Sequence, residues 1–384
     1  MKILVWQWGR RGAGPRFGAC LAAALRDRPG IEVTLSLCRD AEIMGGPKAP
    51  CCEMPVRTHG GMASFLLRVA TAPVALLLLM ARLRRFRPDL AICAMPGPLD
   101  LLMAVALWPF GTRLVVVVHD ADAHPGDGFP FQMVLQRVLC RFAGGLAVLC
   151  LHVGTRLRQQ GLAGTTGEKL IQFEHPPFAF DMPVTERIPG PRRLLCFGRL
   201  LPYKGLDLLA GALASLPPEV EIIVRIVGSG PESPALDALR ACRGVTVENR
   251  WVPETEIGSL LAWSDALILP YREASQSGVA AAALAAGRPV IATRVGGLRE
   301  QLSGAPQAVL CEPDAASLTR AIRLWLEAPR QVMPRSDADA MWRQAVSDLL
   351  LAIGVALPAM PRPIRDAAPE WPTWVYRRDG ISRH

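Results

Sequence analysis

The chain has 384 residues, 51% of them hydrophobic and 20% charged, a composition typical of a folded globular protein and not of a disordered one. The net charge of +9 favours a phosphate-bearing partner or an anionic membrane surface, although an arginine-rich composition alone accounts for the excess equally well. A nucleic-acid partner is not expected, because the chain has no long basic run with interleaved aromatic residues and only three tyrosines.

The cysteines and the first residues bear on the cellular location. The ten cysteines are scattered without a CxxC pair, and most lie in apolar surroundings, which is typical of reduced, buried thiols. Met1 and Lys2 lead directly into a predicted strand, "KILVWQW", so no signal peptide is expected. The expected location is the cytoplasm.

Apolar runs and helical stretches alternate through the first half of the chain. The runs are "KILVW", "IEVTLSLC", "DLAICAM", "RLVVVVHD" and "GLAVLCL". Continuous runs of this kind are typical of parallel strands that are buried on both faces. A glycine-rich stretch, "GRRGAGPRFG", follows the first strand and precedes a helical one.

The most membrane-like segment is the uncharged run at residues 69–81, which is followed by Arg82, Arg84, Arg85 and Arg87. It is too short to cross a bilayer, which takes about 20 residues. A core helix with a solvated basic end and an interfacial helix on an anionic leaflet both fit the pattern. Peripheral contact with the inner face of the cell membrane is therefore a further expectation.

A second series of strands and helices begins at "RLLCFG", after a polar, proline-containing stretch at residues 181–192. Strands that alternate with helices predict a parallel sheet, so two such halves predict two doubly wound α/β domains. We expect an N-terminal domain at residues 1–185, a C-terminal domain at 186–335, and a helix with a proline-rich tail at 336–384 that packs back across the domains.

Ligands of open α/β sheets bind beyond the carboxyl ends of the strands. Gly198, Arg199 and Lys204 follow the first strand of the second half, where two cations could hold a diphosphate; a pair of surface cations is the alternative. Further along, residues 277–279 open an alanine-rich helix whose free N–H groups could bind an anion.

Several motifs in order resemble the retaining glycosyltransferases of family 4, which have the GT-B fold of two Rossmann-like domains facing across a cleft. The motifs are "GRLLPYKGLDLL", "IVGSGPE", "WSDALILPYREASQSG" and "AAGRPVIATRVGGLRE". The resemblance implies that Arg199 and Lys204 bind the donor diphosphate. The implied donor-binding residues are Gly198, Gly228, Glu273, Ser275, Gln276, Ser277, Gly278, Val279 and Glu300.

The sequence departs from the family pattern at two positions. The family usually carries a carboxylate three residues before the helix glycine and another eight positions later, where this chain has Ser275 and Ala283. The first normally contacts sugar hydroxyls and the second holds the ribose. Glu273 is a substitute for the first, and the "SQSG" form recurs among bacterial members, so we expect altered donor contacts and not lost activity.

The resemblance also places residues of the first half. His119 comes directly after a strand and matches a family histidine beside the donor sugar; a histidine that merely caps a strand is the alternative. Asp120 and His124 are expected to shape the acceptor pocket. Gly12 and Gly14 belong to the glycine-rich turn that faces donor phosphate or acceptor, and this turn lacks the spacing of a dinucleotide fingerprint.

Two metal sites are alternatives. Asp120 and Asp122 form a DxD pattern, and with His119, His124 and Asp127 they could form a zinc or hydrolase site. A DxD pattern occurs often by chance, and the fold that the resemblance implies does not use it. The zinc or hydrolase site would leave the cations of the second half unexplained, so we expect no metal and no cofactor. His175 is interpreted as a structural residue near the linker.

The expected function is metal-independent, retaining hexosyl transfer from a nucleotide-diphosphate sugar to a glycan or lipid-linked acceptor, in bacterial polysaccharide assembly. The absence of an obvious nucleophile or paired carboxylates favours front-face attack. One alternative is a non-catalytic sugar-nucleotide or glycan-binding homologue, which the loss of the two carboxylates would suit. A sugar-nucleotide epimerase is less well supported, because it would need more carboxylates around the donor.

Overall fold

Two parallel six-stranded sheets form the framework of the protein, which is described here by a computed structural model. The structure describes residues 1–46, 48–126, 131–164, 167–184, 190–330, 333–355, 375–377 and 380–382. Asp127 and most of the proline-rich tail lie outside these residues.

The first sheet has the strand order β2-β1-β3-β4-β5-β6, and every pairing in it is parallel. Residues such as the four consecutive valines of β4 are fully buried because helices cover both faces of the sheet. The strands are β1 (Lys2–Gln7), β2 (Glu32–Leu37), β3 (Leu90–Cys93), β4 (Arg113–Val118), β5 (Gly145–Val148) and β6 (Leu170–Gln172). The helices are α1 (Ala13–Arg26), α2 (Met62–Ala70), α3 (Ala72–Phe86), α4 (Asp100–Leu107), α5 (Gln132–Phe142) and α6 (Leu151–Gln159).

The second sheet has the order β12-β11-β10-β7-β8-β9 and is also parallel throughout. Its strands are β7 (Arg192–Phe197), β8 (Ile222–Gly228), β9 (Val245–Asn249), β10 (Ala266–Leu269), β11 (Val290–Thr293) and β12 (Ala308–Cys311). Its helices are α7 (Leu206–Ala214), α8 (Pro234–Ala241), α9 (Glu254–Trp263), α10 (Gly278–Ala285), α11 (Gly296–Leu302) and α12 (Ala315–Glu327). The predicted fold class, two doubly wound α/β domains, is therefore confirmed.

A last long helix, α13 (Ala338–Ala352), packs against α1 of the first domain. Its Trp342 lies edge-on to Phe17, with ring centroids 5.0 Å apart, and its indole Nε1 donates to the Pro177 carbonyl oxygen at 3.0 Å. The chain thus returns to the first core after completing the second domain. An antiparallel pair, β13 (Val375–Arg377) and β14 (Gly380–Ser382), follows.

Among the described residues, no single helix is long and apolar enough to cross a membrane. Helices α2 and α3 pass the same test of length and composition only as a pair, and they are bent by 68° relative to each other.

Candidate functional site

The carboxyl ends of the two sheets face each other across a cleft. His119, directly after β4, contacts Gln276, which lies after β10. Gly278, at the start of α10, lies against Ala13 at the start of α1. The residues that the sequence singled out at strand ends in both halves therefore meet in one place.

Arg199 and Lys204 lie in the loop after β7, and two tyrosines hold them. The Arg199 Nη2 donates to the hydroxyl of Tyr203 at 2.9 Å. The Lys204 Nζ lies 3.6 Å from the ring centroid of Tyr271 and 4.9 Å from that of Tyr203. Both rings are buried, so they offer the ammonium group a fixed cation–π cradle.

Glycines determine the path of this loop, which we call the cation loop (residues 198–205). Gly198 has φ of 120° and Gly205 has φ of 64°, backbone conformations that other residues rarely adopt. A side chain on Gly228, at the end of β8, would collide with the Gly198 carbonyl oxygen, and one on Gly230 would collide with that of Leu200. The "IVGSG" motif thus supports the cation loop through close backbone packing.

The N-terminus of α10 adjoins the cation loop. The Ser277 hydroxyl accepts from the Ala280 N–H at 3.3 Å, and the Ser277 N–H donates to Gln301 Oε1 at 2.9 Å. The N–H groups of Gly278 and Val279 have no intrahelical acceptor and none among the other described residues. The Val279 side chain packs against Gly198, so these amides and the two cations border the same space.

His119 is buried at the opposite wall of the cleft. Its Nε2 lies 2.9 Å from the Ala94 carbonyl oxygen, and its Nδ1 lies 2.6 Å from the Gln276 Nε2. A carbonyl can only accept and an amide NH₂ can only donate, so the imidazole carries its proton on Nε2. Burial lowers the pKa of His119 to about 4, which keeps the ring neutral at physiological pH.

Asp120, His124 and Glu273 form a polar group that bridges the cleft beside His119. The His124 Nε2 lies 3.2 Å from Asp120 Oδ1, its Nδ1 lies 3.8 Å from Glu273 Oε1, and its ring stacks on Tyr203 at 4.6 Å. Burial acts to raise the pKa of Asp120, but hydrogen bonds and charge from His124 and a hydrogen bond with Ser275 outweigh it and lower that pKa. Asp120 and Ser275 thus meet from opposite domains.

Gly12 and Gly14 flank Ala13, which lies against Gly278 of α10. Gly12 has φ of 81°, and a side chain on Gly14 would press on Gln7 and Met95. Within the described residues, no three histidine, cysteine, aspartate or glutamate side chains converge as a metal site would require. Asp122 is instead bound by the Arg156 Nε at 2.7 Å and by Gln160.

Two family models match the chain. The model described as "Glycosyl transferases group 1" matches residues 191–328, and the model described as "Glycosyl transferase 4-like domain" matches residues 11–166. The chain carries the two domains of a glycosyltransferase. Each match falls on one of the two sheets, and together the sheets form the GT-B fold.

The glycosyltransferase is similar to curated relatives over part or most of their length. It is 29% identical over 307 residues to a 2-deoxystreptamine glucosyltransferase of Streptomyces kanamyceticus, covering 71% of this chain and 77% of the relative. It is 31% identical over 161 residues to a GDP-mannose-dependent phosphatidylinositol monomannoside mannosyltransferase of Mycolicibacterium smegmatis, covering 39% and 42%. The structure of Anabaena HepE in complex with UDP-glucose superposes with a TM-score of 0.65 at 18% identity, over 92% of this chain and 98% of that one.

Two of the predicted donor residues have other partners in the glycosyltransferase. Glu300 accepts from the N–H groups of Leu151, at 2.6 Å, and His152, at 3.0 Å. Its carboxylate therefore caps the N-terminus of α6 in the first domain. Gln276 binds His119, and its Oε1 is buried without a hydrogen-bond partner among the described residues.

Sequence reasoning missed three residues that position the site. Tyr203 and Tyr271 are two of the chain's three tyrosines, and both contact the predicted cations. Tyr203 stands next to Lys204 in "LPYKG", so the motif itself carried a signal. Gln301 fixes Ser277 by accepting from its N–H and donating to its carbonyl oxygen, a contact that no spacing in the sequence indicated.

Proposed function

We propose that this glycosyltransferase moves a hexose from a nucleotide-diphosphate sugar to a glycan or lipid-linked acceptor, with retention of configuration. The observation that carries the proposal is the convergence of Arg199, Lys204 and the free amides of α10 on one space opposite His119. Residues 1–185 would bind the acceptor and residues 186–335 the donor.

The donor diphosphate fits the positive groups of the second domain. When the bond between the anomeric carbon and the phosphate oxygen breaks, negative charge grows on the leaving phosphate. Arg199, Lys204 and the α10 amides are already in place for that charge, so they stabilise the transition state without reorganisation. The removal of one such donor typically costs about 100- to 1,000-fold in rate. These groups would neutralise the diphosphate without a metal ion.

The acceptor attacks on the face from which the phosphate departs. A bond forms between the acceptor oxygen and the anomeric carbon as the phosphate bond breaks, and the acceptor proton passes to the departing phosphate oxygen. Neutral His119 stands beside this centre, where its Nδ1 could stabilise positive character on the sugar once Gln276 turns away. Asp120, Ser275 and Glu273 would bind sugar hydroxyls in place of the family carboxylate.

The names of the relatives support a sugar-nucleotide donor, but they do not select one nucleotide. One relative is named for GDP-mannose and a phosphatidylinositol mannoside, and the HepE structure contains UDP-glucose. We therefore propose a lipid-linked or glycan acceptor in polysaccharide assembly and leave the nucleotide to experiment.

The first test is binding and turnover with a panel of sugar nucleotides. UDP-, GDP- and dTDP-sugars are screened by thermal shift, and the matched sugar nucleotide should raise the melting temperature. Lys204→Ala should abolish the shift, because the ammonium group in the tyrosine cradle is lost. Lys169→Ala, a lysine at the opposite end of the first sheet, should keep it. Unchanged binding by Lys204→Ala would show that the donor site lies elsewhere.

The non-catalytic alternative rests on Ser275 and on Ala283, which is fully buried in α10. It predicts a thermal shift without product. Release of nucleoside diphosphate that depends on an acceptor glycan, with an anomeric configuration equal to that of the donor by NMR, supports retaining transfer. Conversion of the free nucleotide sugar to an epimer would instead assign an epimerase. Activity that is lost with EDTA and restored by a divalent cation would contradict metal independence.

A further inference from the structure

The exposed apolar side chains of the protein are concentrated on two helices. Seven of the nineteen large hydrophobic side chains that are exposed among the described residues lie between residues 62 and 78. We call the surface they form the α2–α3 face. Its most exposed members are Leu66 at 60%, Leu67 at 55%, Val74 at 62%, Leu77 at 67% and Leu78 at 62%. So concentrated a patch is typical of an interaction surface.

The opposite side of α3 belongs to the core of the first domain. Leu79 and Leu83 are 5% and 1% exposed, and α3 packs along α4. A helix that is anchored in this way cannot enter a bilayer as a spanning segment without dismantling the first core. The 68° bend between α2 and α3 equally opposes a straight span. The α2–α3 face is therefore suited to lie on a surface and not to cross it.

The charge around the face identifies its partner. Residues 54–88 contain six arginines and no aspartate or glutamate. Arg82, Arg84 and Arg85 are exposed in the last turns of α3, beyond the apolar positions. Exposed leucines beside a purely cationic border match the acyl and headgroup layers of an anionic membrane. A second copy of the chain on this face would bring the same cations together. The C-terminal residues 356–384 also carry more arginines than acidic residues. Like charges therefore oppose the docking of a second copy or of these residues on the face.

The face begins next to the cleft. Gly60, two residues before α2, lies against the guanidinium group of Arg10 in the glycine-rich loop that precedes α1. The Ser64 hydroxyl accepts from the N–H groups of Gly60 and Gly61 and so fixes this junction. A bilayer in contact with α2 would thus lie close to the first-domain side of the cleft, where an acceptor with a membrane-embedded tail could reach it.

We infer that the α2–α3 face docks the protein on an anionic phospholipid bilayer, with the apolar side chains in the interface and the α3 arginines on lipid phosphates. This inference does not depend on the proposed reaction, because it rests on a surface outside the cation loop and α10.

The test is co-sedimentation of the full chain with vesicles of phosphatidylcholine alone or mixed with phosphatidylglycerol. The wild type should bind the mixed vesicles, bind phosphatidylcholine far more weakly, and dissociate as salt is raised. Arg84→Glu with Arg85→Glu should weaken binding about 30-fold or more, given the usual contribution of each basic residue at such a surface. Leu66→Glu with Leu77→Glu should abolish it. Since all four side chains are exposed, the variants should fold.

Matched controls change equivalent side chains elsewhere. Arg243→Glu with Arg323→Glu removes the same charge from the second domain, and Leu351→Glu alters an exposed leucine of α13. Both should bind vesicles nearly as the wild type does, and every variant should keep its nucleotide thermal shift. Equal binding to both vesicle types, or equal losses in the control variants, would overturn the inference. A dimer in light scattering that the leucine variant abolishes, with no vesicle binding, would assign the face to a second copy.

Discussion

Tyr203 connects more of the site than any residue that the sequence singled out. Its hydroxyl accepts from Arg199, its ring lies beneath Lys204, and the ring of His124 from the first domain stacks on it. A group that touches two cations and the opposite domain affects catalysis through their positions. It does not itself meet the leaving phosphate in this scheme, so we regard it as a positioning residue.

Tyr203→Phe keeps the ring and removes the hydroxyl, which leaves the Arg199 guanidinium without this acceptor. We expect kcat to fall about 10-fold with a small change in KM, since a hydrogen bond to a charged group contributes roughly 1.5–3 kcal/mol and Arg199 is partly solvated. In a double-mutant cycle with Arg199→Ala, the two losses should not add. Additive losses would mean that the tyrosine acts independently of Arg199.

At the scale of elements, sequence patterns located the strands and the loops that follow them. The cation loop, the "IVGSG" glycines and the start of α10 lie where strand ends predicted them, because local backbone geometry determines these features. The apolar run at residues 69–81 was ambiguous, because helical periodicity does not reveal which face meets a partner. The role of Glu300 was also beyond prediction, since its contact with α6 depends on how two separately folded domains meet.

The junction of β3 and α4 contains a buried acid that makes stability depend on pH. Asp100 is fully buried, and its Oδ2 accepts from the Gly97 N–H at 2.6 Å and from the Cys93 thiol at 3.4 Å. Burial raises the pKa of Asp100 to about 7. The folded state thus holds this proton more tightly than the unfolded state, whose pKa is about 3.9.

The free energy of unfolding should therefore fall as pH rises from about 4 to about 7, with a slope approaching 1.4 kcal/mol per pH unit within that window, and this contribution should level off above about 7, where both states have lost the proton. Asp100→Asn keeps the shape and the acceptor without the charge, so it should remove this part of the pH dependence. Urea unfolding of the wild type and of Asp100→Asn at several pH values between 5.5 and 8.5 measures the pH dependence of each protein. If the two proteins lose stability in parallel, another group is responsible.

For the whole molecule, the main observation is that the two domains are closed on each other along both flanks. On one flank Glu300 caps α6, and on the other Glu42 accepts from the Trp251 indole N–H at 3.2 Å and from the Glu254 N–H at 2.8 Å. These contacts join elements of different domains. Closure of this kind would keep water from a donor bound between the cations and His119 and so limit its hydrolysis.

Glu300→Ala tests whether Glu300 acts by holding the two domains closed or by contacting the donor directly. The variant removes two charge-assisted hydrogen bonds at a helix N-terminus, so the open form should gain population. If Glu300 acts through closure, the radius of gyration from solution scattering should increase and donor affinity should fall about 10-fold, because binding must then also close the domains. Glu312→Ala, which removes an ion pair within the second domain, serves as the control.

Donor affinity and the radius of gyration together distinguish the two possible roles of Glu300. A carboxylate that binds the donor directly, as the family resemblance implies, would lower affinity on removal while the radius of gyration stayed constant. Removal of a residue that holds the domains closed must change both the donor affinity and the radius of gyration. A nucleotide concentration that saturates the variant should restore the compact radius. An unchanged affinity with an unchanged radius would show that the contacts of Glu42, and not those of Glu300, hold the cleft shut.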